Sequence, residues 1–199
     1  MMKPYNILVA GVGGQGNLVC GRALAQAAVI KGYRPVVGDT FGASRRGGSV
    51  VTHLRISNKD LGPLVPKGQA NLIIGMEPLE ALRIAVRYAN SNTVIVTSKI
   101  PVKSLSTITE EVRYPSIDEL ATALQSLSTD VLIVDPEPTL DKVGSYRVLN
   151  VYMLGVTASL NSLPLDRESI EIGIDHVVGL KGDNLEAFES GFQDARQLH

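Results

Sequence analysis

The chain has 199 residues, of which 44% are hydrophobic and 20% are charged, and this composition excludes an intrinsically disordered chain. The 19 lysines and arginines balance 20 aspartates and glutamates to a formal net charge of -1, which argues against a nucleic-acid partner or an anionic membrane surface. The single cysteine excludes an intramolecular disulfide and an iron–sulfur or Cys-rich metal site supplied by this chain alone.

The length predicts one domain over residues 1–199, since domains average roughly 150 residues. The sequence contains no run of about 18 apolar residues that would span a membrane. Its first residues also do not follow the pattern of a secretory signal. We therefore expect a cytoplasmic protein.

The predicted elements alternate between strands and helices along the first three quarters of the chain. A buried strand over 5–10 leads through glycines into a helix over 15–31, which stops at Gly32. Further strands are predicted over 34–38, 49–56, 71–75, 93–98 and 130–135, and further helices from 77 and over 116–126, 150–160, 166–174 and 184–196. This order predicts a single Rossmann-like α/β domain, with a mostly parallel sheet flanked by helices over about 5–150 and a helical C-terminal extension over about 150–199.

A glycine-rich loop joins the first predicted strand to the first helix. Its residues, Gly11-Val12-Gly13-Gly14-Gln15-Gly16, fit the pattern G-x-G-x-x-G in the strand-to-helix setting that this pattern requires. Glycines there permit positive φ angles and leave the amides at the helix start free to bind an anion. Asp39 follows the second strand where a dinucleotide-binding fold places the carboxylate that binds ribose.

Three interpretations of this loop stay open on the residues alone. It either turns the chain tightly without any ligand, binds NAD(P) or FAD, or contacts another anion or a partner surface. A second loop, from Gly42 to Gly48, weakens the dinucleotide interpretation because it places Arg45 and Arg46 among glycines and serines at the same expected edge of the sheet. The Arg46 guanidinium either holds a phosphate or carboxylate in bidentate fashion or forms a salt bridge that stabilises the loop.

Four other polar residues are predicted to be structural. His53 lies on the strand face opposite Val50, Thr52, Leu54 and Ile56. Glu77 precedes a helix that opens with proline, and Asn150 stands where a helix cap is expected. Cys20 falls inside the first helix, where a buried, unreactive thiol is expected. The histidines show no spacing typical of metal ligands, so no metal site is predicted.

These motifs resemble a known family. The pairing of G-V-G-G-Q-G with G-A-S-R-R-G-G-S-V-V-T-H-L-R-I is similar to the gamma-type domain of 2-oxoacid:ferredoxin oxidoreductases, in particular to the small beta subunit of the indolepyruvate branch. Residues 63–66, 70–81, 150–155 and 184–191 agree as well, so the resemblance covers nearly the whole chain. One departure is visible, since the family usually has S-Q-R-G-G where this chain has Ser44-Arg45-Arg46-Gly47-Gly48.

The resemblance implies an enzyme that oxidatively decarboxylates a 2-oxoacid, joins the acyl group to coenzyme A and passes electrons to ferredoxin. Indole-3-pyruvate and other arylpyruvates are the implied substrates. Thiamine diphosphate and iron–sulfur clusters are expected in a large partner subunit, so this chain is expected to hold no cofactor, to supply no catalytic residue and to be inactive alone. The residues expected to meet a ligand or the partner are Gly11, Gly13, Gly14, Gln15, Gly16, Ser44, Arg46, Gly47 and Gly48. The alternative is a free-standing NAD(P)- or FAD-binding protein that uses Gly11 to Gly16 and Asp39.

Overall fold

The computed structural model describes residues 3–42, 47–102 and 113–198, and in these residues six strands form one sheet. The strands are β1 (Tyr5–Val12), β2 (Arg34–Phe41), β3 (Ser49–Ser57), β4 (Leu72–Gly75), β5 (Val94–Ser98) and β6 (Asp130–Val134). Their order across the sheet is β2-β3-β1-β4-β5-β6. β1 therefore lies inside the sheet, and its residues are buried from Asn6 to Val12, as expected for a continuous apolar run.

The sheet is mixed but mostly parallel, which confirms the predicted fold class. β1, β4, β5 and β6 pair in parallel, whereas β3 is antiparallel to both of its neighbours, β1 and β2. Because β2 opposes β3 and β3 opposes β1, β2 runs in the same direction as β1. The carboxyl ends of β1, β2 and β4 thus meet at one edge of the sheet, and β3 begins at that edge.

Both faces of the sheet are covered by helices. The α-helices of the described residues are α1 (Asn17–Ile30), α2 (Pro78–Tyr88), α3 (Ile117–Gln125), α4 (Glu137–Val143), α5 (Leu149–Ala158), α6 (Arg167–Val178) and α7 (Asp183–Leu198). Alternate residues of β1 point to opposite faces. Ile7 and Val9 pack with residues of α1, α5, α6 and α7, whereas Leu8 packs with residues of α2 and α3.

The structure extends the sequence-based elements in two places. β2 continues past the predicted end at Gly38, because β3 supplies pairing partners as far as Phe41, which lies opposite Val50. The helix α4 is not in the sequence prediction. The prolines at 136 and 138 obscure its helical pattern, although proline is compatible with a first helical turn, and it ends at Gly144 in the left-handed region.

Candidate functional site

The glycine loop connects β1 to α1 at the carboxyl edge of the sheet. Gly14 and Gly16 have φ angles of +110° and +84°, a region that residues with a side chain rarely adopt. Gly16 occupies the N-cap position of α1, where no described side chain caps the helix and no acidic residue lies in the first turn. The amide groups at the start of α1 therefore remain available to an external acceptor.

Gln15 fixes the shape of this loop. Its Oε1 accepts a hydrogen bond from the Val12 amide at 2.7 Å, and its Nε2 donates to the Met76 carbonyl at 3.2 Å. The side chain thus ties the glycine loop to itself and to the residue that follows β4. Gly11 makes this approach possible, since a Cβ atom there would lie 2.7 Å from Gln15 Oε1.

The structure brings the glycine loop and the end of the second loop together. The Gly13 amide donates to the Gly48 carbonyl at 2.8 Å, and the Gly47 amide donates back to the Gly13 carbonyl at 3.4 Å. The predicted residues Gly11, Gly13, Gly14, Gln15, Gly16, Gly47 and Gly48 consequently lie side by side. Ser44, Arg45 and Arg46 lie outside the described residues.

A cavity of about 250 Å³ opens beside the glycine loop. Asn17 lines it and is 2% exposed; its Nδ2 donates to the Val50 carbonyl at 3.3 Å. Its Oδ1 is buried and has no hydrogen-bond partner among the described residues. A buried amide oxygen without a donor is uncommon in folded proteins, and this one packs against Gly11, where a Cβ atom would lie 2.8 Å from it. The other lining residues include Gly13, Gly14, Gly16, Phe41 and Val50.

Asp39 does not occupy the position that dinucleotide binding requires. In that arrangement the strand that carries the acidic residue lies beside the first strand. Here β3 separates β2 from β1, which places Asp39 two strands away from the glycine loop. Asp39 Oδ1 accepts a hydrogen bond from Thr52 Oγ1 at 2.7 Å, so its described contact is within the β2–β3 pair. The topology gives no support to the NAD(P) or FAD alternative.

Glu77 and Glu80 are two buried side chains at the β4–α2 junction, next to Met76, whose carbonyl the glycine loop contacts through Gln15. The structural role predicted for Glu77 is confirmed: it is the N-cap of α2 and accepts the Glu80 amide at 2.7 Å. It also accepts hydrogen bonds from the Tyr114 hydroxyl and from the Val102 amide. Burial raises the pKa of the Glu77 carboxyl, and these hydrogen bonds counteract part of the increase.

Glu80 is a buried polar residue that the sequence does not single out. Its Oε2 accepts a hydrogen bond from Ser49 Oγ at 2.6 Å, and its Oε1 accepts one from Arg83 Nη1 at 2.6 Å. A glutamate in the first turn of an amphipathic helix is typical of a solvated position. Its contact with Ser49, 31 residues away along the chain, depends on the sheet order and has no local signal.

His53 and Cys20 are structural, as predicted. His53 Nδ1 accepts the Val65 amide at 3.2 Å, its ring packs edge-on against Tyr88, and burial lowers its pKa. Cys20 is fully buried in α1, and burial raises the pKa of its thiol. In the part of the chain that the structure describes, no group of three or more His, Cys, Asp or Glu side chains is arranged to bind a metal ion.

The prediction that Asn150 caps a helix is wrong. A short 3-10 turn, Tyr146–Val148, precedes α5, so the helix begins one residue earlier than predicted and Asn150 falls inside it. Its side chain packs against Gly16, where a Cβ atom would lie 2.6 Å from Asn150 Nδ2. Asn150 therefore packs against the glycine loop instead of capping the start of a helix.

None of the described helices is both long and apolar enough to cross a membrane.

Comparison with known proteins identifies relatives along nearly the whole chain. Residues 6–194 match the family described as pyruvate ferredoxin/flavodoxin oxidoreductase. The indolepyruvate oxidoreductase subunit IorB of Archaeoglobus fulgidus is 34% identical, over 96% of this chain and 94% of its own length. The subunit of the same name from Methanothermobacter thermautotrophicus is 35% identical, over 97% of this chain and 98% of its own length.

Solved structures share the fold. The gamma subunit of a keto/oxoacid ferredoxin oxidoreductase from Geobacter sulfurreducens superimposes with a TM-score of 0.69 at 20% identity, over 98% of each chain. A 2-oxoglutarate:ferredoxin oxidoreductase from Magnetococcus marinus gives the same TM-score at 21% identity, and the match covers all of this chain but 32% of the larger one. The fold thus occurs both as a separate subunit and as part of a longer polypeptide.

Proposed function

Because the chain belongs to the pyruvate ferredoxin/flavodoxin oxidoreductase family, we propose that it is the small subunit of an indolepyruvate-type 2-oxoacid:ferredoxin oxidoreductase. The observation that carries this proposal is the identity of 32–35% to four subunits named IorB, over almost the full length of both partners in each comparison. The assembled enzyme would convert arylpyruvates oxidatively to acyl-coenzyme A and reduce ferredoxin in the cytoplasm. In it, residues 1–199 would act as one domain.

The residues of this chain do not fit an iron–sulfur cluster. Cluster ligation requires several thiolates, and the chain has one cysteine, which is buried in α1 with a raised pKa. We therefore assign the clusters to the large partner subunit, and the family resemblance places thiamine diphosphate there in this proposal as well. The small subunit would complete the assembly and would be inactive alone.

We assign the contact with the partner, or with an anion that the complex binds, to the two loops at the carboxyl edge of the sheet. Four observations support this assignment: the uncapped start of α1, the positive φ angles of Gly14 and Gly16, the adjoining cavity and the pairing of Gly13 with Gly47 and Gly48. Ser44 and Arg46 belong to the same proposed surface on the basis of the sequence. An arginine there would supply a bidentate donor for a phosphate or a carboxylate.

A pull-down of the tagged chain from anaerobic native extract tests the subunit proposal. We expect mass spectrometry to identify a large thiamine-dependent partner, and the absorption spectrum of the retained material to show iron–sulfur clusters. The retained complex should reduce a viologen dye when an arylpyruvate is added. A colourless chain that is recovered alone and binds NAD, NADP or FAD in a titration would overturn the proposal and would make Asp39 the next residue to substitute.

Substitution of Arg46 distinguishes a partner contact from an anion contact. We expect R46A to weaken assembly or coenzyme A affinity by at least about tenfold, because the guanidinium would supply two charge-assisted hydrogen bonds to the bound group. Weaker assembly with unchanged coenzyme A affinity would indicate a partner surface, and the reverse would indicate an anion site. R34A is the matched control, because Arg34 is an exposed arginine at the opposite end of β2. Equal behaviour of the two variants would remove Arg46 from the proposed surface.

A further inference from the structure

The two buried carboxylates at the β4–α2 junction are costly features of this fold. Glu77 and Glu80 are 1% and 2% exposed, and they are close enough for the charge of Glu80 to raise the pKa of Glu77. Burial of a carboxylate is unfavourable unless hydrogen-bond donors surround it. Glu77 meets this requirement at the N-terminus of α2, where it caps the helix. Glu80 has no such role in the helix, so its burial calls for another explanation.

The Glu80 carboxylate accepts hydrogen bonds from Arg83 and from Ser49. Arg83, one turn further along α2, has a side chain that is 44% exposed, so this pair alone would not require Glu80 to be buried. The other donor is Ser49 Oγ, the hydroxyl of the first residue of β3. Glu80 thus reaches from a helix on one face of the sheet to the start of a strand at its carboxyl edge.

Ser49 is the residue at which both loops of the proposed surface are joined. Its carbonyl accepts the Gly42 amide at 2.8 Å, which closes the connection between β2 and β3 at its base. It directly follows Gly47 and Gly48, which exchange backbone hydrogen bonds with Gly13 of the glycine loop. A shift of Ser49 would therefore displace Gly47 and Gly48 relative to Gly13.

We propose that Glu80 is a positioning residue that holds the two loops in register through the hydroxyl of Ser49. The inference rests on the proposed function, in which these loops meet the large subunit or a bound anion. Neither Glu80 nor Ser49 need touch the partner. Their hydrogen bond sets the relative position of Gly13, Gly47 and Gly48, and a preorganised surface binds more tightly than one that must be ordered on binding.

The first test measures amide exchange in the full chain without its partner. We expect S49A and E80M to accelerate exchange of the Gly13 amide by about tenfold, because either change removes the hydrogen bond that fixes the base of the loop. S49T restores a hydroxyl and should exchange like the wild type. R83M removes the ion pair but leaves the contact between Glu80 and Ser49, so its Gly13 amide should also exchange at the wild-type rate. Unchanged exchange in both S49A and E80M would overturn the positioning role.

The second test measures the affinity of each variant for the large subunit, beside its unfolding midpoint. We expect S49A and E80M each to weaken binding to the large subunit by about tenfold. The double variant S49A/E80M should bind no more weakly than the single variant with the lower affinity, because the effects of residues that act through one contact are not additive. Additive losses, or a lower unfolding midpoint with wild-type affinity, would overturn the inference. Failure of the wild-type chain to bind the large subunit would instead overturn the proposed function, and the exchange measurement would still decide whether Glu80 orders the loops.

Discussion

Gly155 and Gly191 face each other where α5 crosses α7. A Cβ atom at Gly155 would lie 2.1 Å from the Phe188 carbonyl oxygen, and a Cβ atom at Gly191 would lie 2.1 Å from the Tyr152 carbonyl oxygen. The two backbones are therefore in direct contact, with no room for a methyl group on either side. This crossing attaches the last helix of the chain to the helices that cover the sheet.

Alanine at either glycine should destabilise the protein. We expect G155A and G191A each to lower the free energy of unfolding by about 2–3 kcal/mol, because the added methyl group meets backbone atoms that cannot rotate away. Urea denaturation monitored by circular dichroism measures the effect. G62A is the control, since Gly62 has open space around its Cβ position and needs no positive φ. Equal stability of G62A and G155A would contradict the close crossing.

The buried carboxyl of Glu77 should make stability depend on pH. Its pKa in the folded protein is raised above the usual 4.5, so its contribution to stability is complete below pH 4.5 and is lost as the pH rises through the raised pKa. Glutamine cannot titrate. We therefore expect the stability of E77Q relative to the wild type to increase as the pH rises above 4.5, measured by urea unfolding at a series of pH values. A relative stability that stays constant, or that falls with rising pH, would contradict this assignment.

Cys20 should be unreactive in the folded protein. Its side chain is fully buried in α1, and burial raises the pKa of the thiol, so neither access nor ionisation favours attack on a reagent. We expect an aromatic disulfide reagent to modify no thiol in native buffer and one thiol per chain in concentrated urea. Rapid modification in native buffer would show that α1 opens easily or that the thiol is accessible.

Gly16 should tolerate alanine less well than Gly32 does. The two glycines flank α1 with similar φ angles of +84° and +79°, so alanine is strained at both. Only Gly16 has a close neighbour, Asn150, whereas the Cβ position of Gly32 is open. We expect G16A to cost at least about 1 kcal/mol more than G32A in thermal or urea unfolding. Equal costs would mean that Asn150 moves aside without penalty.

Much of the fold follows from local sequence signals. The apolar run of β1, the glycines after it and the alanine-rich α1 are each readable over a few residues, and the structure agrees with all three. The place of β3 between β1 and β2 has no such signal, because strand order depends on contacts between distant residues. The helix α4 escaped prediction for a local reason, since two prolines at its start resemble a loop.

The candidate site also contains residues that a local sequence pattern indicates and residues that it does not. The glycines and Gln15 were identified from their pattern, and the structure adds the partners of the Gln15 side chain. The roles of Glu80 and Asn17 depend on which elements the fold brings together, so no periodicity or spacing could indicate them. The dinucleotide interpretation of Asp39 arose from spacing along the chain, which does not show that an antiparallel strand intervenes.

Because β3 runs antiparallel to β2, the second loop joins two adjacent strands at the edge of the sheet. β2 and β3 form a hairpin at the end of the sheet, closed by the Gly42–Ser49 hydrogen bond, while the parallel strands β1, β4, β5 and β6 pair independently of the residues between Gly42 and Gly47. Substitutions between Gly42 and Gly47 can therefore be made without breaking the pairing of the parallel strands. Transplanting residues 43–46 from a related chain would show whether the recognition proposed for this loop can be exchanged while the parallel strands are kept.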